Sequence, residues 1–268
     1  MNINIKDHKI MNLRYIGLNI HDEHESGISD DFCYKFRFNV NFVYYYLSKA
    51  VRKEKIETGI YNMINVLLSA KIKEPTIKLI EYFKAIEVTI PFDEAEQNRY
   101  IAMGIEERYE FYLTMLEKGY QLANTVCDVK PEILIGLHGK FRQGGYRNEW
   151  LFKKKRIKEY GINVVLDSVL TSFDFKLMLT VLDLKKNTIA KGCIYHTYPD
   201  CTFYYRTIKH LVITDKKLVI TDFLDHEMIE CELEDLAKGI IKAKCIDEDT
   251  ALYTYNDRTK EKFEKLKW

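Results

Sequence analysis

The chain has 268 residues with nearly balanced charge, 41 Lys and Arg against 40 Asp and Glu, whereas a dedicated nucleic-acid-binding protein usually has a basic excess. Aromatic residues make up 13% of the chain, too many for a disordered protein. Glycine (12) and proline (4) are sparse, which argues against enzymes built on glycine-rich phosphate loops.

The first 92 residues are predicted to be mostly β-structure. Residues 34–42 alternate between apolar and polar side chains, and this period of two predicts a strand with one buried face. Pro75 and Pro91 mark strand boundaries, because proline donates no ladder hydrogen bond. Further strands are expected at residues 14–20, 61–72 and 78–90.

From residue 93 the pattern becomes helical. Apolar residues from Ile105 to Ala123 recur at spacings of three and four, which predicts a helix of about five to six turns. A shorter helix is expected to begin at Pro131, because proline is favoured in the first turn. The glycine pair Gly144 and Gly145 is expected to end it.

The last third returns to β-structure and closes with a charged helix at residues 258–268. Strands are expected at residues 161–169, 173–182, 188–196, 210–214, 218–223, 228–233, 243–246 and 251–255. The sequence therefore predicts an α+β fold, with mostly antiparallel sheet in the N- and C-terminal regions flanking a central helical segment. The expected regions are 1–92, 93–149 and 150–268, either separate or parts of one continuous domain.

Cysteine spacing and the distribution of apolar residues indicate the cellular compartment in which the protein functions. None of the six cysteines forms a C-x-x-C pair, the spacing of zinc ribbons and thioredoxin-type sites. The N-terminus has no signal-peptide core, and no window reaches the ~18 apolar residues of a membrane helix. We expect a cytoplasmic protein with reduced thiols, no membrane partner and no cofactor.

One cluster, His21-Asp22-Glu23-His24-Glu25, has the residue types that bind divalent metals. A solvated acidic loop is the favoured interpretation, so no metal ligand is assigned. No catalytic residue is assigned either, because the chain has no G-x-S-x-G motif and no cysteine in an obvious electropositive position.

Residues 138–156 contain the candidate anion-binding residues. Backbone amides at Gly144 and Gly145 with nearby cations would suit a phosphate, although the spacing matches neither common phosphate-loop motif. Trp150 and Phe152 beside the basic run would suit nucleic acid, and a helix cap followed by a charged edge strand is the alternative. The candidates are Lys140, Arg142, Arg147, Lys153, Lys154, Lys155 and Arg156.

The 19 tyrosines are the other unusual feature. Tyrosine is enriched at protein interfaces, whereas tyrosine pairs across antiparallel strands would simply stabilise a sheet. Acidic residues in segments 21–31 and 227–235 would oppose a basic partner. The candidate partner-binding residues are Tyr44, Tyr45, Tyr46, Tyr204, Tyr205, Glu23, Glu25, Asp30 and Asp31.

Four motifs, taken in their order along the chain, resemble those of a group of small Firmicutes proteins. Some members of this group are found beside polymorphic toxins as immunity proteins. The four motifs are Ile-Pro-Phe-Asp at residues 90–93, Glu-Glu-Arg at 106–108, Trp-Leu-Phe-Lys-Lys at 150–154, and Phe-x-Phe-x-Leu-x-Leu-x-Val-x-Asp at 173–183. The resemblance covers residues 80–220, implies a binding protein and carries over no active-site residue.

We therefore expect a non-enzymatic, protein-binding inhibitor that occludes the site of a toxin or of a host defence enzyme, as an immunity protein or a phage inhibitor does. A nucleic-acid partner is not expected. The alternative is a nucleotide- or nucleic-acid-processing enzyme that uses the basic segment of residues 138–156. A structural protein that forms homo-oligomers is the third interpretation.

Overall fold

The computed structural model describes residues 10–21, 26–246 and 259–268. They form two compact units, of which the first contains the described residues up to Tyr146 together with Trp268. The second unit is Arg147–Lys267. The predicted regions 1–92 and 93–149 therefore lie together in the first unit, apart from the last three residues.

The first unit has a mixed four-stranded sheet in the order β1-β2-β4-β3. Its strands are β1 (Tyr15–Ile20), β2 (Met63–Ser69), β3 (Thr76–Ile80) and β4 (Ala85–Pro91). β1, β2 and β4 run parallel, and β3 pairs antiparallel with β4. Residues 78–90, expected as one strand, instead contribute to both strands of the β3–β4 hairpin, because residues 81–84 form its turn.

Helices cover this sheet. They are α1 (Asp30–Glu54), α2 (Glu94–Ala102), α3 (Ile105–Ala123) and α4 (Pro131–Gln143). α1 supplies the crossover that parallel strands require between β1 and β2, and α3 packs on β2 and β4. α4 packs against α1 and α3. The predicted helices from Ile105 and Pro131 are confirmed.

The strand predicted at residues 34–42 is wrong, because these residues lie within α1. Ser29 caps this helix by accepting a hydrogen bond from the Phe32 N–H. Apolar residues outside its sheet-facing stripe are also buried, as Phe42 is against Tyr109 and Phe141, so the alternating pattern imitates a strand. The fully buried stripe at helical spacing is Phe36, Val40, Val43, Leu47 and Val51.

The second unit contains two antiparallel four-stranded sheets. One is β5 (Asn148–Ile157), β6 (Ile162–Leu170), β7 (Phe175–Asp183) and β8 (Thr188–Thr197) in chain order. The other, in the order β12-β11-β10-β9, is β9 (His210–Thr214), β10 (Lys217–Thr221), β11 (Glu227–Glu232) and β12 (Lys244–Cys245). Short helices α5 (Cys201–Tyr204), α6 (Leu233–Ala237) and α7 (Lys260–Glu264) accompany them. The strand predicted at residues 251–255 lies outside the described residues.

The predicted α+β class is confirmed, with strands flanking a central helical segment. Most strand pairings are antiparallel, and the two parallel pairings lie in the N-terminal sheet. Within the described part of the chain, no helix has both the length and the apolar character needed to span a bilayer.

Candidate functional site

The outer side of the edge strand β1 is partly closed by side chains. Ile16, Leu18 and Ile20 direct their backbone N–H and C=O groups away from β2. Ser48 of α1 accepts a hydrogen bond from the Ile16 N–H at 2.9 Å and donates to the Ile16 C=O at 3.0 Å. The Ile20 N–H donates to the Asn19 side chain at 2.9 Å. Leu18, between them, is fully buried, so the backbone of β1 is not open to a partner at this position.

A cleft of about 300 Å³ opens at this part of β1, and we call it the β1 cleft. Tyrosine, methionine and arginine, which line it, are the residue types enriched in the cores of protein interfaces. Arg52 is its charged lining residue. The side chains beside the β1 backbone are Tyr15, Tyr44, Tyr45, Arg52, Met63 and Asn65.

The Arg52 guanidinium is held in place before any partner arrives. It lies 4.9 Å from the centre of the Tyr15 ring, and its Nε donates to the Arg14 C=O at 3.2 Å. Its two Nη groups have no hydrogen-bond partner within the described residues. Because a guanidinium presents parallel N–H groups that match a carboxylate, this side chain is suited to receive an acidic group.

The predicted partner-binding tyrosines separate into different places. Tyr44 and Tyr45 line the β1 cleft, whereas the Tyr46 ring packs 4.4 Å from Phe141 of α4, because successive helical residues point about 100° apart. Tyr204 and Tyr205 belong to the second unit, where Tyr204 is buried and Tyr205 is exposed. The three consecutive tyrosines therefore do not form one surface.

The predicted acidic residues are placed less favourably for a partner. Asp30 and Asp31 lie in the first turn of α1, where they complement the helix dipole, and Asp31 also pairs with Lys35 at 3.0 Å. Glu23 and Glu25 lie outside the described residues.

The expected acidic surface at residues 227–235 is not formed. Glu230 pairs with Lys217 at 2.8 Å, and Glu234 pairs with Lys238 at 2.7 Å. Because neighbouring lysines neutralise these carboxylates, the segment offers a basic partner little unpaired charge.

The candidate anion site near Gly144 is also corrected. Arg142 forms a two-pronged ion pair with Glu110, with its Nε and Nη2 donating at 2.8 Å, and lies 3.6 Å from Glu117. Hydrogen bonding from Arg142 lowers the pKa of the Glu110 carboxyl, so the carboxylate stays ionised and the ion pair stays intact. Lys140 pairs with Glu54 at 3.4 Å. Arg142 is therefore not free to bind an anion, whereas exposed Lys140 forms only a surface ion pair.

His138 beside them is a buried structural residue. The Glu117 carboxylate can only accept, so His138 Nδ1 donates to it at 3.1 Å and Nε2 accepts from the Tyr120 hydroxyl at 3.3 Å. Burial lowers the pKa of His138, while the neighbouring Glu117 opposes that shift. Burial raises the pKa of Tyr120 well above its ordinary value, so the hydroxyl stays a donor.

The remaining candidate cations lie in the second unit. Arg147 is exposed just before β5, and β5 is the edge strand of its sheet. Within the described residues none of the four cations on β5 forms an ion pair, and three of them line a cleft of about 460 Å³ with Lys186. The four are Lys153, Lys154, Lys155 and Arg156.

Sequence reasoning missed Arg52, Met63 and Asn65. Tyr44, Ser48 and Arg52 are four residues apart, so treating this stretch as a helix would have placed them on one face. Met63 and Asn65 come from β2, and no sequence signal connects them to α1.

Among the described residues, no group of three or more His, Cys, Asp or Glu side chains could hold a metal ion. Comparisons with protein-family models, with curated proteins and with solved structures found no significant match to this chain. Function is therefore inferred from the geometry of the clefts.

Proposed function

We propose that the chain is a protein-binding inhibitor that recognises its partner through the β1 cleft. The observation that carries this proposal is the gathering of Tyr44, Tyr45 and Arg52 around one cleft of about 300 Å³. Tyrosine and arginine are the residue types that most often dominate binding energy at interfaces. The inhibitor class, of the immunity or phage type, rests on the resemblance of residues 80–220.

The chemistry of the cleft defines the partner segment. Leu18 is 0% exposed, and Ser48 and Asn19 satisfy the neighbouring backbone positions of β1. The partner therefore does not add a strand to β1, and side chains of the cleft supply the specificity. The partner segment is expected to place a carboxylate on Arg52 and an apolar side chain against the tyrosines.

Inhibition would then be steric. A bound inhibitor that covers the active site of a toxin or a defence enzyme excludes the substrate and needs no catalytic group of its own. A loop of the partner that carries a carboxylate beside its active site would complement the positive charge of Arg52.

The test is affinity purification of the tagged full-length chain from its native host, with mass spectrometry of the proteins that co-elute. We compare the wild type with Arg52→Glu and Tyr45→Ala, which alter the cleft. Matched controls are Arg99→Glu and Tyr82→Ala, exposed residues of the same unit outside it. Circular dichroism confirms that each variant is folded.

We expect one partner in near-equimolar amount with the wild type and with both controls, and its loss with both cleft variants. The purified partner should lose its activity when the wild-type chain is added. A partner retained by both cleft variants would place the interface elsewhere, and a partner whose activity is unaffected would contradict the inhibitor class.

The alternative function, a nucleotide- or nucleic-acid-processing enzyme, retains one supporting observation. The cations of β5 form no ion pair with any described residue, and three of them line a cleft, although Arg142 and Lys140 pair with carboxylates. Co-elution of nucleic acid or a nucleotide together with its chemical conversion would favour this alternative, and binding without conversion would exclude catalysis as its role.

A further inference from the structure

Another cleft of the second unit is lined by both aromatic rings and cations, and we call it the aromatic cleft. Its volume is about 320 Å³, and no aspartate or glutamate is among its lining residues. The lining includes Trp150, Phe152, Tyr204, Tyr205, Lys153 and Lys209. Neither lysine forms an ion pair with any described residue.

A bulge in β5 builds one wall of this cleft. The register with β6 shifts between Leu151 and Lys153, which makes Phe152 an extra residue in the strand. Trp150 pairs with Ser168 and Lys153 pairs with Leu166, two positions that lie on the same face of β6. In a regular strand Trp150 and Lys153 would point to opposite faces, so the bulge brings the indole and the ammonium group together.

The aromatic rings of the cleft are held rigidly on one side and open on the other. The Tyr204 ring stacks on Phe175 with centroids 4.0 Å apart and planes within 9°, and Trp150 lies 6.1 Å from the same Phe175. Tyr205 is 65% exposed, with Lys209 Nζ 5.5 Å from its ring centre. A flat ligand can therefore lie against fixed rings while Tyr205 and Lys209 cover it.

Ser168 supplies an independent sign of a ligand. Its side chain lines the aromatic cleft, is 1% exposed, and its Oγ has no hydrogen-bond partner in the part of the chain that the structure describes. Leaving a buried hydroxyl unsatisfied is unfavourable, and native proteins rarely do so without a reason. A ligand with a polar edge would satisfy it.

We propose that the aromatic cleft binds a nucleobase together with its phosphate, supplied by a free nucleotide or by single-stranded nucleic acid. The base stacks on the aromatic rings, its polar edge bonds to Ser168 Oγ, and the phosphate lies between Lys153 and Lys209. An acidic peptide would satisfy the lysines but would leave the flat rings and the buried hydroxyl without a matching group.

Lys155 extends the site along β5. It lies two positions beyond Lys153, so both lysines are on one face of the strand, whereas Lys154 and Arg156 are on the other. Lys155 forms no ion pair with any described residue. A chain of phosphates can continue from Lys153 to Lys155, whereas a single nucleotide does not reach that far. Affinity for a longer strand therefore depends on Lys155, and affinity for a mononucleotide does not.

The experiment uses the fluorescence of Trp150. The chain has two tryptophans, and Trp268 belongs to the other unit, so Trp268→Phe leaves Trp150 as the reporter. This variant, checked for folding by circular dichroism, is titrated with oligo(dT), with oligo(A) RNA and with AMP. Polyglutamate serves as the polyanion without bases.

We expect saturable quenching by the nucleotide ligands, weakened about tenfold or more by Tyr205→Ala and by Lys209→Glu, since stacked bases and phosphate contacts each carry affinity of this size. Ser168→Ala should also weaken binding, while the matched control Lys191→Glu, an exposed lysine of the same unit, should not. Tighter binding of oligonucleotides than of AMP, reduced by Lys155→Glu, identifies a strand as the source. Equal binding of AMP, unaffected by Lys155→Glu, identifies a free nucleotide.

Three results would overturn the proposal. They are the absence of quenching by all three nucleotide ligands, equal quenching by polyglutamate, and an affinity that Tyr205→Ala and Ser168→Ala leave unchanged.

Discussion

Gly17 and Asn65 are paired across β1 and β2 so closely that a Cβ atom on Gly17 would lie 2.5 Å from Asn65 Oδ1. The missing side chain at residue 17 allows the Asn65 amide to lie over the neighbouring strand. Because both residues line the β1 cleft, this close approach shapes its floor.

Gly17→Ala is expected to displace the Asn65 amide and to weaken partner binding about tenfold, with a loss of ~1–2 kcal/mol in the free energy of unfolding, as other overpacked sites show. Partner capture and urea denaturation measure the two effects. Gly136→Ala is the matched control, because this helical glycine has open space around it and alanine favours a helix. Equal partner capture by both variants would show that the Asn65 position does not matter for binding.

Ser48→Ala removes both hydrogen bonds that close the Ile16 edge position. We expect a loss of ~1–3 kcal/mol in the free energy of unfolding, because the Ile16 backbone groups are left unsatisfied. Urea denaturation tests this effect, with exposed Lys49→Ala on the same helix as control. Unchanged stability would mean that these two hydrogen bonds make no net contribution to the free energy of unfolding.

The buried His138 predicts a pH dependence of stability. Burial places its folded-state pKa below the unfolded value of about 6.5, so the unfolded chain takes up the proton more readily. Its contribution to stability is therefore complete above about pH 6.5 and falls as the pH decreases below that value. His138→Gln should flatten this part of the stability curve, measured by thermal unfolding at a series of pH values. The exposed His226→Gln is the control, and an identical slope in both variants would contradict the assignment.

The carboxylate of Asp174, just before β7, contacts three side chains. Its Oδ2 lies 2.9 Å from His196 Nε2 and 2.6 Å from Lys176 Nζ, and Thr171 Oγ1 donates to Oδ1 at 2.7 Å. Burial raises the pKa of Asp174, but the hydrogen bonds from His196, Lys176 and Thr171 outweigh it and hold the pKa well below its ordinary value.

Because the folded-state pKa of Asp174 is depressed, its stabilisation is present above the unfolded value of about 3.9 and is lost as the pH falls toward the folded value. Asp174→Asn should cost ~1–3 kcal/mol in the free energy of unfolding near neutral pH, and this cost should shrink in acid. Denaturant unfolding at several pH values measures both. Asp167→Asn on β6 is the control, and a cost independent of pH would indicate a packing effect instead.

Local patterns predicted the elements whose burial follows one face. Ile105–Ala123 has a single apolar stripe, Pro131 begins the next helix, and the strands β6 and β7 alternate cleanly between buried and half-buried residues. Residues 34–42 did not follow this rule, because α1 is buried on more than one side and its aromatic residues match both periods.

The sequence by itself therefore determined the α+β class and most of the C-terminal strands. Tertiary structure alone decided which side chains meet. Arg52 and Asn65 share a cleft because β1 pairs in parallel with β2 while α1 packs on β1, and Arg142 is unavailable to anions because α3 brings Glu110 against it. Each of these relations joins residues more than ten positions apart. Spacing along a chain records the geometry of one helix or strand, but contacts between elements depend on how the sheet is ordered and how the helices pack on it.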